Sequence, residues 1–266
     1  MLVTDVHAHF GEHRSDMPDE FDRCMSATAA EVAGRAERAG IDRTIVSSLE
    51  AILPSGRDVA RANDKARAAA EAIPAIYFWA VLDPDGAENW KDVEELLRHP
   101  KCTGVKLHPL MHGYDIKDRG EEVLSFCRER AAAVISHTGD TGCDPLDFVA
   151  LADAFPEVAI ILAHLGHGPG GHLFGQVRAI ESNAAGNLYT DTSSQRSLYG
   201  RLLEMAVERI GARRILFGTD TPLYFAACQK ARIEGAAIGA DEKRRILGEN
   251  AQALLFERTD GKRSMG

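Results

Sequence analysis

The residues that invite a chemical reading are His7 and His9, two positions apart at the end of an apolar, β-branched run beginning at Leu2. Side chains alternate faces along a strand, so i and i+2 point the same way. On the last turn of a strand, both imidazoles would face one spot. Two converging neutral imidazoles suit a divalent transition metal such as Zn²⁺. Two surface histidines in a loop would have the same spacing, so the rest of the chain must supply further ligands. Four more apolar runs end in a group able to do chemistry. Lys106 and then His108 close one, and His137, His164 and Asp220 close the others.

These side chains need elements that carry them to one place. Strands are expected at residues 2–10, 43–48, 75–81, 103–109, 132–137, 157–164, 187–191 and 213–220. Between them lie a polar loop from Gly11 to about Ser26 and helical stretches at 28–39, 57–73, 89–98, 118–130, 145–155, 173–182 and 198–210. Gly40 and Pro74 are the stops expected after the first two helices. Two C-terminal helices are expected at 223–237 and 241–256, then a frayed polar tail at 258–266. Ala75 to Val81 is continuously apolar, as in a parallel strand buried on both faces.

Eight strands alternating with helices imply a parallel sheet, and eight units in 266 residues fit a (β/α)8 TIM barrel as one domain over 1–266. An open doubly wound sheet is the alternative. Against it, the loop after the first strand lacks a Gly-x-Gly-x-x-Gly phosphate cradle. In a (β/α)8 barrel the active site forms at the C-terminal strand ends. His7, His9, Lys106, His137, His164 and Asp220 would then meet at one rim.

The sequence resembles the amidohydrolase superfamily, and more narrowly its amidohydrolase-2 branch of metal-dependent barrels. The resembling pieces run from Asp5-Val6-His7-Ala8-His9 through Gly104-Val105-Lys106-Leu107-His108-Pro109, Ser136-His137, Ala163-His164-Leu165-Gly166 and Phe217-Gly218-Thr219-Asp220 to Ile246-Leu247-Gly248-Glu249-Asn250-Ala251. They span nearly the whole chain in the family's order. The resemblance implies that His7, His9, His137 and Asp220 are metal ligands. It implies that Asp220 accepts a proton from metal-bound water, and that His164 is a catalytic acid/base or a second-site ligand. Lys106 would join His164 in a second site if it were carbamylated; otherwise it is an ammonium that binds a substrate carboxylate or packs in the barrel mouth. Three imidazoles and a carboxylate suit Zn²⁺, with Mn²⁺ or Fe²⁺ as alternatives. The implied function is a metal-dependent hydrolase using metal-activated water on an amide, ester or lactone of a small polar substrate. The alternative is a metal-dependent decarboxylase of an aromatic or unsaturated carboxylic acid, which several cations near the metal would favour. A binding protein that has lost its chemistry would have no need of four convergent donors.

Other residues carry less. His108 is expected to line the pocket. Arg196, just past the seventh strand, could pair with a substrate carboxylate or simply be exposed. His167 and His172 lie in the glycine-rich loop between Gly166 and Gly171 or just after it. The formal charge of -9 and the absence of a basic stripe exclude nucleic acid as the expected partner and disfavour an anionic membrane surface. A small-molecule substrate is expected, and a homo-oligomer is left open. No signal peptide and no membrane span are expected. The five scattered cysteines point to free thiols in a reducing compartment, with the cytoplasm the expectation.

Overall fold

A computed structural model describes residues 2–53 and 58–257. Eight parallel strands follow one another in sequence order: β1 (Thr4–Phe10), β2 (Arg43–Ser48), β3 (Ile76–Val81), β4 (Cys102–Leu107), β5 (Ala133–Ser136), β6 (Ile160–Leu162), β7 (Leu188–Asp191) and β8 (Ile215–Leu216). The sheet closes on itself. Val6 N–H donates to Phe217 O at 2.9 Å, and Asp220 N–H to His7 O at 2.7 Å, so the end of the last strand lies against the first. The architecture is the expected (β/α)8 barrel.

Alternation along the strands sorts the core into two layers. Val6, Ile45, Trp79, Ile135, Ile161 and Leu216 pack inside the barrel, with Leu254 and Leu255 against them. Ala8, Val46, Phe78, Val105, Val134 and Leu162 face outward to the helices. Inside, the Trp79 indole N–H finds the Val6 carbonyl at 2.8 Å, so its large apolar ring is buried without an orphaned donor. Gly104 lets β4 and β5 approach: its φ is +146°, and a Cβ there would lie 2.3 Å from Ala133 O.

Helices are α1 (Asp19–Met25), α2 (Ala29–Arg38), α3 (Leu49–Ile52), α4 (Val59–Ala72), α5 (Asn89–Leu96), α6 (Pro109–His112), α7 (Ile116–Glu129), α8 (Phe148–Ala154), α9 (Gly175–Ser182), α10 (Leu202–Ile210), α11 (Ala226–Glu234) and α12 (Ala240–Arg244). Thr28 and Glu31 form a reciprocal capping box on α2. The expected loop at 11–26 contains α1, which buries none of its own residues and so has no apolar stripe to betray it. The eighth strand is two residues long instead of eight, because Ala212–Arg214 is a 3-10 turn and the segment after Leu216 bends across to β1. The last expected helix, 241–256, is α12 followed by the π-wound stretches Arg245–Glu249 and Gln252–Glu257. The first of these brings Gly248 against β1's entry, where a Cβ would lie 1.9 Å from Leu2 O. Arg57 and the expected tail at 258–266 lie outside the described residues.

Candidate metal centre

β1 delivers His7 and His9 to the floor of a cavity of about 260 Å³ at the C-terminal end of the barrel. Asp220 reaches the same floor from just beyond β8, held there by its N–H on His7 O. His9 Nε2 lies 3.0 Å and His7 Nε2 3.7 Å from Asp220 Oδ1. All three side chains are buried, and the three ligand atoms lie within 4.8 Å of one another.

The hydrogen-bond pattern prepares these atoms for a cation. His7 Nδ1 lies 2.8 Å from Asp191 Oδ2, a carboxylate at the end of β7 with no exposed surface. The carboxylate can only accept, so His7 carries its proton on Nδ1 and turns the Nε2 lone pair to the floor. Burial lowers the pKa of His7 to about 4, so it stays neutral and able to ligate. On His9, the outer nitrogen Nδ1 is 3.0 Å from Ser47 Oγ. Asp220 Oδ1 is buried and has no aligned hydrogen bond, although two imidazole nitrogens face it. A buried carboxylate oxygen without a donor is costly unless a positive charge sits beside it. Burial would raise the Asp220 pKa, but the imidazoles of His9, His164 and His7 close around it outweigh that and hold the group well below the usual carboxylate range. The donor set, two imidazoles and a carboxylate, therefore fits a divalent metal.

Lys106, on β4, is 1% exposed and donates to His7 Nε2 at 2.9 Å. Burial lowers its pKa to about 8 against the pull of Asp220 and Asp191. It thus brings a positive charge to the same lone pair. The backbone is left-handed at both His164 (φ +72°) and Asp220 (φ +58°), a conformation that non-glycine residues seldom adopt and that gathers at functional sites.

His137 and His164 lie on the same floor, in a different arrangement from the one expected. His137 Nε2 is 2.7 Å from Asp140 Oδ2, and its Nδ1 is 3.0 Å from His164 Nε2. The donor group that includes His137 is completed by Asp140 and His167. The structure thus gathers His7, His9 and Asp220 into one cluster and His137 into a neighbouring one. His164 bridges them, with Nδ1 2.8 Å from Ser193 Oγ. His108 caps α6 and stacks on His137 with ring centroids 4.1 Å apart, so it lines the cavity as expected. His167 also lines it, whereas His172 is exposed. Arg196 turns its guanidinium to Gly168 O at 3.4 Å and does not line the cavity.

The sequence reading missed three residues. Asp191 was visible as the polar end of the seventh strand, the same signal that singled out Asp220. Ser193, two residues on, bonds its hydroxyl to Asp191 Oδ1. Asp140 is three residues past His137, in a loop that acquires meaning only through His167.

The amidohydrolase (Amidohydro_2) family pattern matches residues 4–256. The chain belongs to this family. Its fold is similar to those of several solved relatives. A 2,6-dihydroxybenzoate decarboxylase from Rhizobium superposes with a TM-score of 0.73 at 16% identity, covering 96% of this chain and 98% of that one. For 5-carboxyvanillate decarboxylase from Sphingomonas paucimobilis the TM-score is 0.74 at 15% identity, with 96% and 98% covered. A dihydroxybenzoic acid decarboxylase from Polaromonas, with bound manganese and the inhibitor 2-nitroresorcinol, gives 0.70 at 17% identity, with 96% of each chain covered. Among curated proteins none matches the sequence. Within this amidohydrolase-family barrel, no described helix is long and apolar enough to cross a membrane.

Proposed function

We propose that this protein is a metal-dependent decarboxylase of a small aromatic carboxylic acid, and the cavity carries that reading. Leu49, Ile52, Leu110, Met111, Leu223 and Tyr224 line it together with the floor of His7, His9, Lys106 and Asp220. An apolar wall beside a floor that offers the Lys106 ammonium and a metal-binding donor set suits a flat ring whose carboxylate points down. A volume of about 260 Å³ suits a single substituted ring better than an extended substrate. The family relatives of similar fold include three decarboxylases of hydroxylated benzoic acids, one of them with manganese bound.

His7, His9 and Asp220 would hold the ion, which would supply a positive charge for the substrate's oxygens. Lys106 supplies a second charge that pairs with the carboxylate as the substrate leaves water. Several cations would favour an acid substrate, and Lys106 is the one Lys or Arg side chain among the described lining residues. The reaction breaks the ring–carboxylate bond, releases CO₂ and places a proton on the ring carbon. Asp220 Oδ1 is the floor atom without an aligned partner, so it is placed to take a proton from a ring hydroxyl and return it to the ring carbon. The same unpartnered oxygen supports the second reading, a hydrolase in which Asp220 takes a proton from water.

The test loads the protein with Mn²⁺ or Zn²⁺ and offers hydroxylated benzoic acids alongside aryl amides, esters and lactones. CO₂ release with formation of the matching phenol is expected. Hydrolysis of the neutral substrates without CO₂ release from any acid would overturn the proposal and favour the second reading.

A further inference from the structure

The cavity is also lined by a histidine that the proposed reaction does not use. His13 reaches it from the loop between β1 and α1. Its side chain is 14% exposed, against 2% and 5% for His7 and His9, so it stands nearer the mouth than the floor. Gly11, where the loop begins, sits against the start of α3: a Cβ there would lie 3.5 Å from Ser48 Oγ and 3.7 Å from Leu49 N. His13 thus belongs to the side of the cavity that Leu49, Ile52 and Leu53 line.

The contacts within the loop converge on one pair. Gly11 and Ala27 close its base with two N–H···O bonds, of 2.7 and 3.2 Å. His13 Nδ1 is 2.7 Å from Asp22 Oδ1. Ser15 donates to the same carboxylate twice, through its hydroxyl at 2.8 Å and its N–H at 3.1 Å. His13 N–H donates to Ser26 Oγ at 2.8 Å, and the Ser26 hydroxyl to Asp22 O at 2.7 Å. Phe21 sets its ring edge-on to the imidazole, with centroids 5.7 Å apart. The helix that carries Asp22, α1, buries none of its own residues, so packing on the core does not account for this order.

The His13 hydrogen bond holds the Asp22 carboxyl below the usual carboxylate range, so it is ionised and only accepts. His13 then carries a proton on Nδ1, and its Nε2 has no partner among the described residues. In the neutral ring Nε2 accepts, and in the charged ring it donates; a hydroxyl answers either form. We infer that His13, held by Asp22, is a specificity-determining residue whose Nε2 hydrogen-bonds a hydroxyl on the ring edge facing away from the departing carboxylate. The inference rests on the aromatic-acid reading above. With the carboxylate on the floor of a cavity of about 260 Å³, the far edge of a single ring comes to the mouth. Leu49, Ile52 and Leu53 offer that edge no hydrogen bond, and His13 does. A pair that only ties the loop would show the same distances, so the experiment must vary the hydroxyl.

Calorimetric titration of the Mn²⁺-loaded protein with benzoate, 3-hydroxybenzoate and 4-hydroxybenzoate reads the contact. These acids carry no hydroxyl beside the carboxylate for Asp220 to deprotonate, so the titration reads binding alone. One added hydrogen bond is expected to make at least one hydroxy acid bind about 3- to 10-fold tighter than benzoate. His13→Ala should bring all three within about twofold of one another and leave benzoate bound as in the wild type. His13→Phe, which keeps a ring beside Phe21, should do the same. Circular dichroism matching the wild type establishes that the variants are folded. A wild type that binds the three acids alike or binds none of them would overturn the inference. So would folded variants that keep the preference, or that weaken all three acids by one factor, as a tie for the loop would. Release of CO₂ is read separately: preference without CO₂ from any hydroxylated benzoic acid sinks the decarboxylase reading and leaves His13 its role, and CO₂ without preference does the reverse.

Discussion

Asp191→Asn tests whether the metal centre is held from behind. The carboxylate is fully buried and accepts on both oxygens: His7 Nδ1–H at 2.8 Å on Oδ2, and two backbone N–H groups with the Ser193 hydroxyl on Oδ1. The backbone donors cannot change sides, so the amide oxygen of the substituted residue must stay with them. Its NH₂ then confronts His7 Nδ1–H, two donors in contact. His7 escapes by moving its proton to Nε2, which removes the lone pair that the metal needs. The structure thus predicts loss of a properly directed ligand with almost no change in volume. Losing such an outer partner typically weakens metal affinity about 10- to 100-fold, or about 1.4–2.7 kcal/mol. Competition against a chromophoric chelator near neutral pH measures it directly. Affinity within about threefold of the wild type would refute the tautomer argument and, with it, the assignment of His7 Nε2 as a ligand atom.

Three further outcomes follow from other parts of the chain. His164→Ala should keep most of the metal in the first cluster and lose about a hundredfold or more in turnover. If His164 is the acid/base that the family resemblance implies, one limb of the pH–rate profile should vanish with it; a role limited to holding His137 and Ser193 would leave the profile's shape unchanged. Glu204 joins α10 to α11, and Arg232 Nη1 donates to its Oε1 at 3.2 Å. Burial would raise its pKa, but Arg232 and the Ala237 N–H outweigh that and lower it from 4.5 to about 2, so its contribution is present above pH 4.5 and lost as pH falls toward 2. Glu204→Gln should therefore cost about 1–2 kcal/mol in urea unfolding at neutral pH. The deficit should shrink on acidification, and a deficit independent of pH would contradict the assignment. Alkylation of the native protein should label Cys24 and Cys228, which are exposed, and spare Cys102, Cys127 and Cys143, which are buried. Burial pushes the Cys127 thiol up to about 12 and Cys143 to about 11, and mass spectrometry of peptides reads the pattern.

The sequence was most legible where one physical rule acts locally. Continuous apolar runs marked the parallel strands because both of their faces are covered, and the first polar residue after each run marked the rim. That rule found His7, His9, Lys106, His137, His164 and Asp220, all of which line the cavity. It fails for groups whose role comes from a distant partner. Asp140 lies past its strand and matters because His167 folds onto it from another loop. Asp191 obeys the rule but acts behind His7, and no local pattern pairs them across the 184 positions that separate them. The pairing of His137 with Asp140 was likewise hidden, since a strand-end histidine has the same signature whichever way its ring turns. β8 was misjudged because the apolar run there is shared between two ladder residues and a bend against β1.

The seam where the last strand meets the first has a consequence for how the protein is made. Thr219 donates to Asp5 from 214 positions away, and Asp220 completes the cluster begun by His7 and His9 from across the same seam. Closing so long a loop adds only logarithmically to the entropy cost, yet contacts of such separation form late. A ribosome-bound chain that has not yet emitted Asp220 therefore has the two histidines but no pocket to hold an ion tightly. Tight binding by the His7–His9–Asp220 cluster would wait for completed synthesis and barrel closure. A product truncated before Phe217 would lack Asp220, the third donor of that cluster.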